Sequence, residues 1–260
     1  MTQRWKITIE YDGTLYSGWQ KQKQDNVISV QTALEKAIAA FSGQEVNLAV
    51  AGRTDSGVHA LGQVAHFDSE KEFTERTVRN AINAKLYELK YDGVVVRQAE
   101  KVSDDFHARF SATRRVYCYR ILADRRAPLV LAENRYLHNR NKLDVEAMQE
   151  AANYLLGHHD FTSFRASACQ GNSPMRTLDR VHIRDASDEN FYHGQYLEIW
   201  VEAKSFLYNQ VRNIVGSLIP VGEGKWQPEK LKEILEACDR TKGGKTAPPY
   251  GLYFMRVDYD

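Results

Sequence analysis

The first hundred residues leave few folds open. Trp5 to Tyr11 alternates apolar and polar residues with period two, which predicts a strand. Ser29 reads as an N-cap, and Val30, Ala33, Leu34, Ala37, Ile38 and Phe41 recur at helical spacing until Ser42-Gly43 stops the run. Two short strands are expected next, Glu45–Val50 and Gly62–Phe67. A helix from Thr74 to Leu86 and a strand from Val94 to Ala99 follow, separated by the Asp92-Gly93 turn. Strand, helix, strand, strand, helix, strand is the order of the ferredoxin-like split βαβ pattern, an antiparallel sheet backed by two helices.

The second half repeats this grammar with longer insertions. Strands are expected at Arg115–Leu122, Val181–Arg184 and Tyr196–Ala203, and a closing strand at Gly251–Val257. Asp144 caps a helix from Val145 to Leu156 that closes at Gly157. An apolar helix runs from Leu207 to Val221, and Pro228 opens a shorter one to Cys238. The expected class is α+β, with two ferredoxin-like domains, 1–105 and 106–260, each with an antiparallel sheet. No Ser/Gly/Pro linker divides them.

The chain's 43% hydrophobic and 27% charged residues suit a soluble globular protein. No apolar run approaches the ~20 residues of a membrane helix, and Met1 to Lys6 enters a strand without a signal-peptide core, so the cytoplasm is the expected location. Cys118, Cys169 and Cys238 stand far apart, which argues against a disulfide framework and a zinc site. His158 and His159 beside Asp160 are adjacent in sequence and do not converge easily on one ion. With no dinucleotide motif either, neither metal nor cofactor is expected. A net charge of +1 does not itself point to nucleic acid. The local balance is different: His107 to Arg126 holds Arg109, Arg114, Arg115, Arg120, Arg125 and Arg126 against Asp124 alone.

Three stretches could carry chemistry. In Ala51-Gly-Arg-Thr-Asp-Ser-Gly-Val-His-Ala60 the acid Asp55 sits between Arg53, Thr54, Ser56 and Gly57. A Gly-bracketed loop between strands can present one side chain to a ligand, or it can be a plain connection whose Asp caps backbone N–H groups. Along the strand from Arg115, the residues Arg115, Tyr117 and Tyr119 share a face. Tyrosine beside arginine suits an RNA base and its phosphate, and equally a solvated arginine face over buried tyrosines. Arg212 lies on an apolar helix, where an arginine is commonly a structural ion-paired or snorkelling residue.

Taken together these stretches resemble the tRNA pseudouridine synthase A family. The resemblance rests on Gly52-Arg-Thr-Asp-Ser-Gly-Val-His-Ala60 with Gly62-Gln-Val64, on Phe106-His-Ala-Arg-Phe110 leading to Arg115-Val-Tyr-Cys-Tyr119, and on Phe206-Leu-Tyr-Asn-Gln-Val-Arg-Asn-Ile-Val-Gly216. The stretch from His158 to Phe164 and Thr246-Ala-Pro-Pro-Tyr-Gly-Leu-Tyr253 are similar to family signatures too. Gln210 stands where the family often has Met. The resemblance implies conversion of uridine to pseudouridine at tRNA positions 38, 39 and 40, in the anticodon stem-loop. It further implies a homodimer without cofactor or metal, and an active-site cleft at the junction of two ferredoxin-like domains. Asp55 becomes the catalytic acid, Tyr117 the active-site tyrosine and Arg212 the arginine paired with the acid. Arg53 and Arg115 join the residues that bind tRNA. The chemistry needs one carboxylate, acting at C1′ of the sugar or on the pyrimidine ring. A glycoside hydrolase needs two carboxylates across the bond, and the loop offers one. The alternative from another class is a non-catalytic RNA-binding protein with two ferredoxin-like sheets.

Overall fold

A computed structural model describes residues 2–22, 27–166, 173–189 and 193–260. Cys169, counted above among the isolated cysteines, lies outside the described residues. The chain forms two compact units, one of residues 1–113 with 253–260 and one of residues 114–252. The first half of the sequence contributes β1 (Gln3–Tyr11), α1 (Val30–Ser42), β2 (Ala49–Val50), β3 (His59–Ser69), α2 (Glu75–Glu88) and β4 (Val94–Val102). Next come β5 (Ala112–Ala123), β6 (Leu137–His138), α3 (Val145–Asn153), β7 (Gly157–Asp160), β8 (Met175–Asp185) and β9 (Gln195–Ala203). Finally come α4 (Gln210–Gly222), α5 (Lys230–Ala237) and β10 (Leu252–Tyr259). The fold is mixed α+β.

In the first unit β4, β1 and β3 are consecutive neighbours, and every pairing among them is antiparallel. The short β2 lies antiparallel on β3. Trp5, Ile7 and Ile9 of β1 are fully buried, as are Ala33, Leu34, Ala37 and Ile38 of α1 and Val78 and Ile82 of α2. Each fully buried aliphatic side chain contributes about 1.5–3 kcal/mol of transfer free energy. The helices begin and end where local chemistry dictates. Ser29 and Thr74 accept the backbone N–H of Thr32 and Thr77, and Gly43 closes α1 at a left-handed φ of 70°. Only Ala49 and Val50 of the expected Glu45–Val50 strand pair with the sheet. The N–H of Leu48 instead donates to Glu35 Oε1 of α1 at 3.1 Å, which draws the chain away from the ladder.

The sequence pattern suggests a division near residue 105 with the closing strand in the second half. In the structure the first unit extends to Thr113 and includes 253–260. The reason is the strand partner: β10 runs parallel to β3, with Tyr253 opposite His59 and Phe254 opposite Ala60. Val257 and Tyr259 also pack on the buried cluster of Ala51, Val64 and Ala108.

The second unit has the sheet order β5-β9-β8-β7, antiparallel throughout, with β6 parallel to β5. One face is apolar: Tyr117, Tyr119 and Ile121 of β5 lie opposite Val201, Ile199 and Leu197 of β9. Met148 of α3, Ile214 and Leu218 of α4, and Leu231 and Ile234 of α5 are buried with them. The other face is a charge ladder, where Glu202 meets Arg114 and Arg180, and Glu198 meets Arg120 and Arg184. Among the described residues no helix is long and apolar enough to cross a membrane.

Candidate active site

The Asp55 loop is held by the segment that follows β1. Gly57 N donates to Gly13 O at 3.1 Å, Trp19 N donates to Thr54 O at 3.0 Å, and Ser56 Oγ donates to Tyr16 O at 3.2 Å. The two segments lie so close that side chains are excluded. A Cβ on Gly13 would overlap the carbonyl oxygen of Val58, and one on Gly18, at φ +96°, would lie 2.7 Å from Thr54 O. The loop turns tightly, with Val58 N bonded to Asp55 O at 3.2 Å and Gly57 at a positive φ of 80°. This geometry leaves Asp55 half-buried and Arg53 exposed on one short stretch.

The loop's rear is polar but dry. Tyr11 Oη lies 2.7 Å from Thr54 Oγ1, and Gln63 Nε2 donates to Tyr11 Oη at 3.3 Å and to Gly52 O at 2.7 Å. Burial pushes the Tyr11 phenol up to about 12, so it keeps its proton at neutral pH. His59, at the start of β3, accepts from Gly13 N at 3.2 Å and stacks on Tyr253 with ring centroids 4.8 Å apart. Sequence reasoning missed Tyr11 and Gln63. A glutamine followed by the apolar Val64 and Ala65 was the available signal.

In the second unit Tyr117 packs edge-on against Phe206, ring centroids 5.1 Å apart. The structure therefore joins the Arg115–Tyr119 strand to the Phe206–Gly216 motif. Arg115 is 7% exposed and its Nη1 donates to Lys204 O. Tyr119 Oη donates to Pro248 O at 2.8 Å. The face shared by Arg115, Tyr117 and Tyr119 is thus the covered one, and no described tyrosine of this trio stands open in the manner of an RNA-recognition sheet. The exposed arginines lie on the opposite face and engage carboxylates.

Arg212 is half-buried on the first turn of α4. The helix starts at Gln210 rather than Leu207 because Asn209 takes a left-handed φ of 61° and Gln210 Oε1 accepts from Leu207 N at 2.8 Å. Arg212 Nε donates to Ala247 O at 2.8 Å and Nη1 to Asn209 Oδ1 at 2.9 Å. Ala247 N returns a bond to Arg212 O at 3.1 Å, so the Thr246–Tyr253 signature and the α4 motif form one assembly. Among the described residues no group of three His, Cys, Asp or Glu side chains could hold a metal ion.

A family model described as tRNA pseudouridine synthase matches residues 7–111 and 151–260. The chain belongs to the tRNA pseudouridine synthase family. It is 51% identical over 256 residues to tRNA pseudouridine synthase A of Sinorhizobium fredii, covering 98% of this chain and 99% of that one. The tRNA pseudouridine synthase A of Ehrlichia canis is also 51% identical, over 98% of this chain and 100% of its own. That of Wolbachia pipientis is 49% identical over the same shares. Asp55, Arg53 and Arg212 fall inside the segments matched to the pseudouridine synthase family model, whereas Arg115 and Tyr117 fall between them.

Proposed function

We propose that this chain isomerises uridine at positions 38, 39 and 40 in the anticodon stem-loop of tRNA, with Asp55 as its single catalytic carboxylate. The coarser statement follows from family membership: the chain is a tRNA pseudouridine synthase, an isomerase that converts uridine to pseudouridine in tRNA. The observation that supports Asp55 as the carboxylate is its presentation, half-buried on a loop whose backbone is fixed from the Gly13–Trp19 side; the positions in tRNA rest on the family resemblance. A fixed, partly dry carboxylate loses little on orienting toward a reacting atom.

In this reading the N1–C1′ bond breaks, the base turns, and C5 joins C1′. The C5 proton departs and N1 gains one, so no redox step and no cofactor are required. Asp55 assists at C1′ or on the ring. Flipping the target base costs a few kcal/mol, offset by stacking and phosphate contacts. Tyr117, Arg53, Arg115 and Arg212 bind the substrate, with Arg212 acting as a functional unit with Asp55. The ferredoxin-like assignment of both units is part of this reading, supported in the first by the antiparallel run β4-β1-β3 with β2 antiparallel on β3, to which β10 adds a parallel strand. A cytoplasmic homodimer completes it.

The test is single-turnover release of tritium from C5-labelled uridine in tRNA. Asp55→Asn is nearly isosteric and removes the charge, so it should abolish release while tRNA binding persists. If Asp55 and Arg212 act as one unit, the double variant Asp55→Asn/Arg212→Lys will be scarcely slower than Asp55→Asn alone. Appreciable release by Asp55→Asn would sink the assignment.

A further inference from the structure

We propose that Tyr11 and Thr54, anchored by Gln63, are positioning residues for Asp55, forming a buried hydroxyl–amide chain that sets where the acid's loop stands. The inference rests on the reading of Asp55 as the catalytic carboxylate. Gln63 is fully buried and Tyr11 is 3% exposed. One amide nitrogen serves two points on the limb of the loop that leads into Asp55: Gly52 O directly at 2.7 Å, and Thr54 Oγ1 through the Tyr11 hydroxyl, which it meets at 3.3 Å. Because the amide donates to the phenol oxygen, the phenol O–H is left to donate to Thr54 Oγ1. Gly52 and Thr54 flank Arg53, and Thr54 immediately precedes Asp55.

Within the sheet this hydroxyl–amide chain adds the Gln63–Tyr11 bond between β3 and β1 and the bond that Val64 N donates to Gln63 Oε1 at 3.2 Å. The β1–β3 ladder is satisfied by backbone pairing from Gln3 to Ile9. An apolar residue at position 63 would share a face with Ala65, but it would leave Gly52 O and the Tyr11 phenol without the amide's donors. The three polar side chains instead converge on the backbone on either side of Arg53. Trp19 reinforces the arrangement: its N–H holds Thr54 O at 3.0 Å and its ring packs at 6.1 Å from that of Tyr11. The residue that carries the acid is thereby tethered by its predecessor's carbonyl and hydroxyl together.

Tyr11→Phe, Thr54→Val and Thr54→Ser separate positioning from fold. All three keep shape closely enough to fold, which thermal unfolding checks. The rate is single-turnover tritium release at saturating tRNA, and tRNA affinity is measured by filter binding. Tyr11→Phe and Thr54→Val should slow release by about tenfold to a hundredfold, the scale on which small misplacements of a reacting group act. Affinity should hold, and Thr54→Ser should restore the rate by keeping the hydroxyl. A purely structural role would lower Tm and leave the rate at moderate temperature unchanged. Wild-type release by Tyr11→Phe, or a Thr54→Ser variant as slow as Thr54→Val, would overturn the proposal. If Asp55→Asn is inactive while Tyr11→Phe is fully active, this inference fails and the assignment of Asp55 stands. If Asp55→Asn releases tritium normally, both fail.

Discussion

The Asp55 loop and the Asp239–Pro248 loop are both irregular chain, yet they are fastened differently. The first is held largely main chain to main chain, through Gly57 N to Gly13 O and Trp19 N to Thr54 O, across glycines that admit no Cβ. The second is gathered by side chains. Arg240 Nη2 donates to Asn213 Oδ1 at 3.0 Å, Gly244 O at 2.8 Å and Thr246 Oγ1 at 3.1 Å, and Ser217 Oγ accepts from Gly244 N at 2.9 Å. Main-chain fastening tolerates most side-chain changes and fails at its glycines. Side-chain fastening fails wherever a polar partner is removed, because the remaining groups stay buried without one.

The largest effect expected is at a glycine where both modes meet. A Cβ on Gly216 would overlap the carbonyl oxygen of Lys245, backbone that cannot step aside. Gly216→Ala should cost more than about 3 kcal/mol in urea unfolding, and Gly13→Ala should approach it. A mild effect at both sites would show that the close approaches relax. Next, Arg240→Ala should cost about 1.5–3 kcal/mol, since charge-assisted bonds to three acceptors are lost. Arg240→Lys should recover only part of this, as an ammonium is more strongly hydrated than a guanidinium and gives up more on leaving water. By contrast Ser56→Ala, which removes one exposed-side tether from the Asp55 loop, should cost only about 0.5 kcal/mol. Equal costs for Arg240→Ala and Ser56→Ala would erase the distinction.

Acid sharpens the comparison further. His66 of β3 is buried, 4.7 Å in ring separation from His107, and its Nδ1 accepts from Ala108 N at 3.1 Å. Burial, with His107 and Arg4 nearby, pushes His66 down to about 4. The neutral ring is favoured in the folded state, so the unfolded chain binds more protons between its ordinary pKa of 6.5 and about 4. Stability of the first unit is therefore whole above pH 6.5 and declines as the pH falls toward 4. In the second unit Glu223 is held low mainly by its bonds to Lys225 and Asn139, against an opposing burial effect, so its contribution is lost only below the usual carboxylate value of 4.5. Hydrogen exchange between those limits should quicken in β3 before α4. His66→Phe should flatten the pH dependence of β3. Exchange that quickens equally in both would refute the assignment.

The smallest effect concerns tRNA. Arg126 is exposed, whereas Arg114 is engaged by Glu202 at 3.3 Å. Arg126→Ala should flatten the slope of log affinity against log salt by ~0.7–0.9, and Arg114→Ala by less. Matching slopes would mean that the carboxylate does not compete with phosphate.

Local signals in the sequence were read well. Ser29, Gly43 and Asp144 stand where the structure uses them, because capping depends on neighbours within a turn, whereas Thr74, expected inside its helix, is the N-cap of α2. Pairings between distant segments were not legible. β7 is Gly-His-His-Asp, polar throughout, and becomes a strand only because β8 lies beside it. α3 ends at Asn153, short of the expected Leu156, and Gly157 opens that strand at a φ of 98°. The Asp55 motif was legible as a string, but its footing on Gly13, Gly18, Tyr11 and Gln63 was not. Apart from the bond from Gln63 to Gly52, 11 positions away, those contacts join residues about 36 to 52 positions apart, where no periodicity reaches.

The parallel pairing of β10 with β3 has a consequence for synthesis. A ribosome makes residues 1–113 first, but the strand beside His59 and Ala60 emerges only after residues 114–252 have been made. Tyr259, whose hydroxyl donates to Ala108 O at 2.8 Å, also emerges after the second unit. The nascent N-terminal unit waits with the edge of β3 uncovered and the cluster under Ala51 unfilled. A chain released early therefore carries the complete Asp55 loop sequence on an incomplete support. The acid's loop and its direct footing on Tyr11, Gly13, Trp19 and Gln63 are thus made early, and what the late strand adds is the ring of Tyr253 against His59 and the packing of Val257 and Tyr259.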